Sequence, residues 1–205
     1  YLSAACPWCH RTDIVLGLKG LRDVVSTSFV HPLMREGGWK FAPDGYTDPL
    51  FGYAFARELY LRADPHYTGR VTVPVLWDKS LDRPVSNESS EILRMFDHEF
   101  ADAANPSVSF YPEKGRDEIE RWNERIYHTV NNGVYKCGFA HTQEAYEEAF
   151  TELFDTLDAL EAHLAGRHWL VGDHVTEADV RLFVTLVRFD AVYVSHFKCN
   201  LRRIA

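Results

Sequence analysis

Ala5-Cys6-Pro7-Trp8-Cys9-His10-Arg11-Thr12 is the stretch from which the rest of this chain can be read. It sets two thiols, Cys6 and Cys9, around a proline. The short apolar run Tyr1 to Ala5 precedes it, and Ile14, Val15, Leu18 and Leu21 follow at helical spacing until Gly20 supplies a stop. The thiols therefore fall where a strand gives way to a helix. Pro7 suits the first helical position, where a missing N–H costs nothing. At such a junction the helix-terminal N–H groups and the helix dipole stabilise negative charge on the first sulfur, so Cys6 is the candidate thiolate.

The same residues carry competing readings. Cys6-Pro7-Trp8-Cys9-His10 also fits C-x-x-C-H, the attachment pattern of a c-type haem. Cysteines can equally be small buried residues in a turn. A structural zinc wants four ligands, and no second Cys/His pair at suitable spacing follows. Cys137 and Cys199 stand apart, each preceded by a lysine. On the motif alone, redox chemistry and haem are level.

Composition narrows the classes. The 205 residues suffice for one large or two small domains, with 46% apolar and 14% aromatic residues to build a core. Thirty acidic against 22 basic residues give a net charge of −8, which argues against nucleic acid or an anionic membrane as partner. There is no apolar run long enough for a membrane span, and no secretory signal. Four cysteines are too sparse for a secreted disulfide scaffold, so a reducing, cytoplasmic compartment is expected. The opening at Tyr1 reads as mid-strand and the close at Arg202 to Ala205 as mid-helix, so a piece of a longer chain is expected.

Further along, Val24 to Val30 is short and β-branched, a strand. Residues 31–68 are rich in Gly, Pro, Asp and aromatics, with a helical interlude at 52–62. Val71 to Trp77 reads as a strand with an internal proline, which an ordinary central strand does not tolerate. A turn at Asp78 to Asp82 leads to a returning strand at Arg83 to Ser86, then to a helix opening at Asn87 with Ile92, Leu93, Phe96 and Phe100 on its apolar side. The order is β-α-β followed by β-β-α, the thioredoxin-like pattern. Residues 1–100 form that domain, 101–113 a linker and 114–205 an all-helical domain. In the last, Ile119, Trp122, Ile126 and Val130 share one helix face, and Tyr146, Phe150, Leu153, Leu157, Leu160 and Leu164 another; both stripes read as bundle core. Thr176 and Asp179 form a variant capping box that fixes a helix start, a structural role.

A thioredoxin-like half followed by a helical half resembles the glutathione transferases, and three local features agree. Cys6-Pro7-Trp8-Cys9 is similar to the active-site start of the cysteine-type transferases. Thr72-Val73-Pro74-Val75-Leu76 is similar to the strand whose proline is cis, exposing the preceding backbone to an extended peptide. Glu88-Ser89-Ser90 is similar to the signature that holds the γ-glutamyl end of glutathione. Within the superfamily, Gly37-Gly38-Trp39-Lys40-Phe41, Asn132 to Ala140 and Phe189 to Lys198 resemble motifs of the xi class, the glutathionyl-hydroquinone reductases, over nearly the whole chain. This resemblance demotes the haem reading.

The resemblance implies reductive deglutathionylation of a glutathionyl-hydroquinone with glutathione as co-substrate, and neither metal nor haem. Cys6 would be the nucleophile. Trp39, Val73, Pro74, Glu88 and Ser89 would hold the peptide, and Tyr135 and Tyr193 would orient or protonate the ring. As plain structure, Trp39 would be a lid aromatic and each tyrosine a buried ring with one hydrogen bond. The full-length protein would be a homodimer. Alanine is more usual where this chain has Cys9, so Cys9 is a candidate resolving thiol or an inert buried one. The alternatives are an omega-like dithiol oxidoreductase or dehydroascorbate reductase using Cys6 and Cys9, and a non-catalytic ligand binder.

Overall fold

The first helix, α1 (Pro7–Leu18), begins at the proline the sequence singles out, with Cys6 as its N-cap in extended conformation. It ends before Gly20, whose φ of 71° is a left-handed conformation that glycine adopts without steric cost. A computed structural model describes residues 1–204; the final residue of the expected helical domain, at 205, lies outside them. The chain forms two compact units that meet between Val108 and Ser109.

In the first unit, the Tyr1 and Val75 backbones exchange hydrogen bonds of 2.8 and 2.9 Å. Leu2 bridges Phe29 in parallel, donating to Ser28 O and accepting from Val30 N, each at 2.9 Å. β1 (Leu76–Asp78) then pairs antiparallel with β2 (Arg83–Ser86). Side by side, the segments run 28–30, 1–3, 75–78 and 83–86, the mixed order of a thioredoxin-like sheet. The helices α1, α2 (Arg57–Ala63) and α3 (Ser89–His98) complete the unit. The anticipated strand Val24 to Val30 shrinks to its last residues, because Leu21–Asp23 close a 3-10 turn and leave Val24 exposed. The anticipated strand from Val71 becomes regular only at Leu76, because the Val73–Pro74 bond is cis and turns the backbone out of register. The helix expected over 52–62 runs 57–63, after the turn organised by Asp48.

The core of this unit gathers Leu2, Cys6, Cys9, Val30, Phe41, Leu59, Tyr60, Val73 and Val75. Each fully buried aliphatic side chain contributes about 1.5–3 kcal/mol. Lys19 lies in the same interior: its Nζ meets Asp97 Oδ1 at 3.0 Å and Val108 O at 2.8 Å, and Asn105 N donates to Lys19 O. These bonds hold residues 105–108 with the first unit, whereas Phe110 accepts from Glu177 N within the second.

The second unit is helical: α4 (Arg116–Ile126), α5 (Gly133–Gly138), α6 (Gln143–Leu164), α7 (Glu177–Arg188) and the short α8 (Val194–His196). Its core takes Ile119, Ile126, Val130, Leu153, Phe154, Leu160, Leu182 and Phe189. Both halves of the capping box at Thr176 and Asp179 form, and Asp179 also accepts from Leu170 N at 2.8 Å. Two π segments, Tyr127–Asn131 and Phe189–Tyr193, extend α4 and α7. Residues 200–204 are irregular rather than helical.

Candidate active site

Cys6 is held at the mouth of α1 by its own backbone. Its N donates to Ser3 O and its O accepts from His10 N, both at 3.1 Å, so the thiol cannot drift from the helix start. The sulfur lies 3.6 Å from Val73 O, the carbonyl just before cis-Pro74. Cys9, one turn on, is buried close to Cys6. Burial pushes the Cys9 thiol well above its ordinary range, and its nearness to Cys6 pushes the same way; the Ser3 backbone opposes them only in part. Cys9 thus keeps its proton beside Cys6.

Arg11 is buried, its guanidinium 4.4 Å from the centre of the Trp8 ring and 3.5 Å from Ser89 Oγ. It ties the thiol-bearing helix to the start of α3. There Glu88 is the N-cap: its Oε1 accepts from Ser90 N and Ser90 Oγ at 3.1 Å and from Ser89 Oγ at 3.4 Å. The carboxylate thereby organises the helix start. Trp39 is half-buried against the same core, its carbonyl accepting from Ala56 N at 2.9 Å. Cys6, Cys9, Trp39, Val73, Pro74, Glu88 and Ser89 therefore all belong to the first unit.

Sequence spacing missed the residues that fix this geometry. Tyr60 Oη donates to Thr72 O at 2.8 Å and accepts from Thr72 N at 3.3 Å and Asn87 Nδ2 at 3.1 Å. One hydroxyl therefore joins the residue before Val73–cis-Pro74 to the residue before Glu88. No local pattern signals such a link, because its three members are 12 and 15 positions apart.

Tyr135 and Tyr193 belong to the second unit. Their hydroxyls are 3.4 Å apart and their rings meet edge to face at 5.9 Å. Phe197 packs on both rings, and the exposed Phe139 stacks beside Tyr135. Tyr193 ends one π segment and Tyr135 follows the other; such segments recur where a helix must re-aim a functional side chain.

Residues 5–99 match the family model described as glutathione S-transferase, N-terminal domain, and residues 143–204 the one described as glutathione S-transferase, C-terminal domain. Glutathionyl-hydroquinone reductase PcpF of Sphingobium chlorophenolicum is 57% identical over 207 residues, which cover all of this chain and 66% of that relative. The crystal structure of glutathione transferase Xi 1 from Trametes versicolor has a TM-score of 0.96 and 53% identity, covering 100% of this chain and 73% of that one. The glutathione-bound structure of YqjG from Escherichia coli K-12 has a TM-score of 0.96 and 53% identity, covering 100% and 67%. The chain spans less than two thirds of the length of PcpF. Sequence and architecture agree, and the chain belongs to the glutathione transferase family, within its xi class.

Proposed function

We propose that the protein reduces glutathionyl-hydroquinones to free hydroquinones, with glutathione as co-substrate and Cys6 as nucleophile. The observation that carries this is the setting of Cys6: the N-cap of α1, facing the Val73 carbonyl beside cis-Pro74 with Cys9 one turn on. PcpF, which is named for this activity, supplies the substrate class. Cys6 attacks the sulfur of the thioether; the S–C bond to the ring breaks and the ring carbon takes a proton. The product is the hydroquinone and a Cys6–glutathione mixed disulfide. A second glutathione thiolate attacks that disulfide, oxidised glutathione leaves, and Cys6 is restored.

An extended glutathione would pair with the Val73 backbone, with Pro74 cis shaping the approach and Trp39 covering it. Ser89 and the N-terminus of α3 would receive its γ-glutamyl carboxylate and Glu88 its amino group. Tyr135 and Tyr193, with facing hydroxyls, would orient and protonate the ring. The reading includes a homodimer of the full-length protein, checked by light scattering. It also includes a cytoplasmic setting, which fits four cysteines that are all thiols.

The test is intact mass after mixing the protein with a glutathionyl-hydroquinone and no free glutathione. One glutathione adduct on Cys6 with free hydroquinone in solution is the expected result; no adduct and no hydroquinone overturns it. The contact between Cys9 and Cys6 favours a second reading, dithiol chemistry of the omega-like type. In that case the adduct gives way to loss of two hydrogens, and Cys9→Ser abolishes turnover. The hydroquinone reading expects Cys9→Ser to turn over.

A further inference from the structure

Cys137 and Cys199 have no part in the chemistry above, yet the fold brings them together from 62 positions apart. Both are buried in the core of the second unit, 1% and 0% exposed. Cys199 Sγ lies 4.0 Å from Val134 O, one turn before Cys137 on α5. Two devices press the segments together. A Cβ at Gly138 would overlap the Phe197 ring, so glycine there lets the Phe197 side chain, two residues before Cys199, lie directly on α5. Lys198 adopts φ 60°, a left-handed conformation unusual for a side-chain-bearing residue, and so turns Cys199 inward.

The two thiols are close enough to shift one another's titration. Nearness to Cys199 lowers Cys137, with help from Lys136 beside it, and nearness to Cys137 together with burial raises Cys199. The Tyr146 hydroxyl bonds Lys198 O at 2.7 Å and is raised by burial and then by its nearness to both cysteines. Cys137, Tyr146 and Lys198 line a pocket of about 370 Å³, room for a small oxidant beside Cys137.

We propose that Cys137 and Cys199 are a second redox centre, a dithiol that hydrogen peroxide closes to an internal disulfide. The Cys137 sulfur attacks one peroxide oxygen. An S–O bond forms, the O–O bond breaks, and hydroxide leaves as water with the thiol proton. Cys199 sulfur then displaces the hydroxyl of the Cys137 sulfenic acid: the S–S bond forms, the S–O bond breaks, and a second water leaves. Two thiols lose two electrons and two protons, and one peroxide becomes two waters. Formation of the bond fixes α5, which carries Tyr135, to the segment that follows Tyr193. The proposal is independent of the substrate assigned to Cys6.

The test uses the wild-type chain. Lys136 and Lys198 put tryptic cuts immediately before both cysteines, giving peptides 137–167 and 199–202, while Cys6 and Cys9 share peptide 1–11. The folded protein is titrated with hydrogen peroxide, quenched with catalase, unfolded, alkylated and mapped. The expected result is peptide 137–167 joined to 199–202, with both alkylation sites lost and regained on reduction, and more cross-link in folded than in urea-unfolded protein. In Cys199→Ala, dimedone should trap a sulfenic acid on Cys137. Full alkylation of both peptides at a dose that has already oxidised peptide 1–11 overturns the proposal. So does sulfinic acid on Cys137 with Cys199 still alkylated, a cross-link to another cysteine, or a cross-link no greater in folded protein.

Discussion

Replacing Tyr60 with phenylalanine keeps the ring, its burial and its packing against Tyr67, with centroids 4.9 Å apart, and removes only the hydroxyl. That hydroxyl serves Thr72 O, Thr72 N and Asn87 Nδ2 at 2.8, 3.3 and 3.1 Å. A net hydrogen bond is worth about 0.5–1.5 kcal/mol, and water can reach the exposed Asn87 but reaches Thr72 less freely. Tyr60→Phe should therefore cost about 1–3 kcal/mol. With a urea slope of about 1–3 kcal/mol per molar, the midpoint of the first unit falls by about 1 M. Binding should suffer as well, because Thr72 precedes Val73–cis-Pro74 and Asn87 precedes Glu88. A loosened clamp should weaken glutathione binding about tenfold, or about 1.4 kcal/mol. The alkylation rate of Cys6 should stay near that of wild type, since the hydroxyl does not touch the thiol. The assays are urea unfolding, calorimetric titration with glutathione and timed alkylation. Stability within about 0.5 kcal/mol of wild type and unchanged glutathione affinity would refute the clamp.

Lys19→Met strips Asp97 of its ammonium in a site where the two side chains are only 5% and 1% exposed, and should cost about 3–5 kcal/mol in denaturant unfolding. Adding Asp97→Leu should recover most of the loss, and no recovery would mean that the carboxylate was not the cause. Cys9 is raised in the folded state, so folded protein keeps a proton that the unfolded chain releases above about pH 8.5. Stability should decline as pH climbs past that value, and the decline should flatten in Cys9→Ala; parallel curves would contradict the assignment. Gly138→Ala should destabilise the second unit by about 1–3 kcal/mol through its clash with Phe197 and slow peroxide closure of Cys137 with Cys199. Closure at the wild-type rate would show that the close approach is not needed.

Much of this was legible in sequence because it is local. Pro7 after Cys6 marks a helix start whichever protein surrounds it, and Thr176 with Asp179 caps a helix through bonds that span three residues. The leucine stripe from Leu153 to Leu164 follows from helical periodicity alone. The motifs Gly37 to Phe41, Asn132 to Ala140 and Phe189 to Lys198 carried the resemblance to the xi class without any coordinates. β-branched runs were less dependable. Val24 to Val30 and Val71 to Trp77 have strand composition, but a strand needs a partner in register, and the neighbouring turn and the cis bond left only part of each in the sheet.

By itself, then, the sequence determined the starts of the helices at Pro7 and Glu177, the apolar faces of the long helices, that Cys6 heads a helix, and the family. Only the tertiary structure decided what each functional group does beside its neighbours. It made Glu88 a helix cap, buried Cys9 beside Cys6, put the Tyr60 hydroxyl between Thr72 and Asn87, and set Cys199 against the turn of α5 that leads to Cys137. The physical reason is range. Helix starts and apolar faces are set by residues three or four apart, which any stretch of chain displays. Hydrogen bonds and thiol contacts between distant segments exist only after loops have closed and burial has removed the competing water.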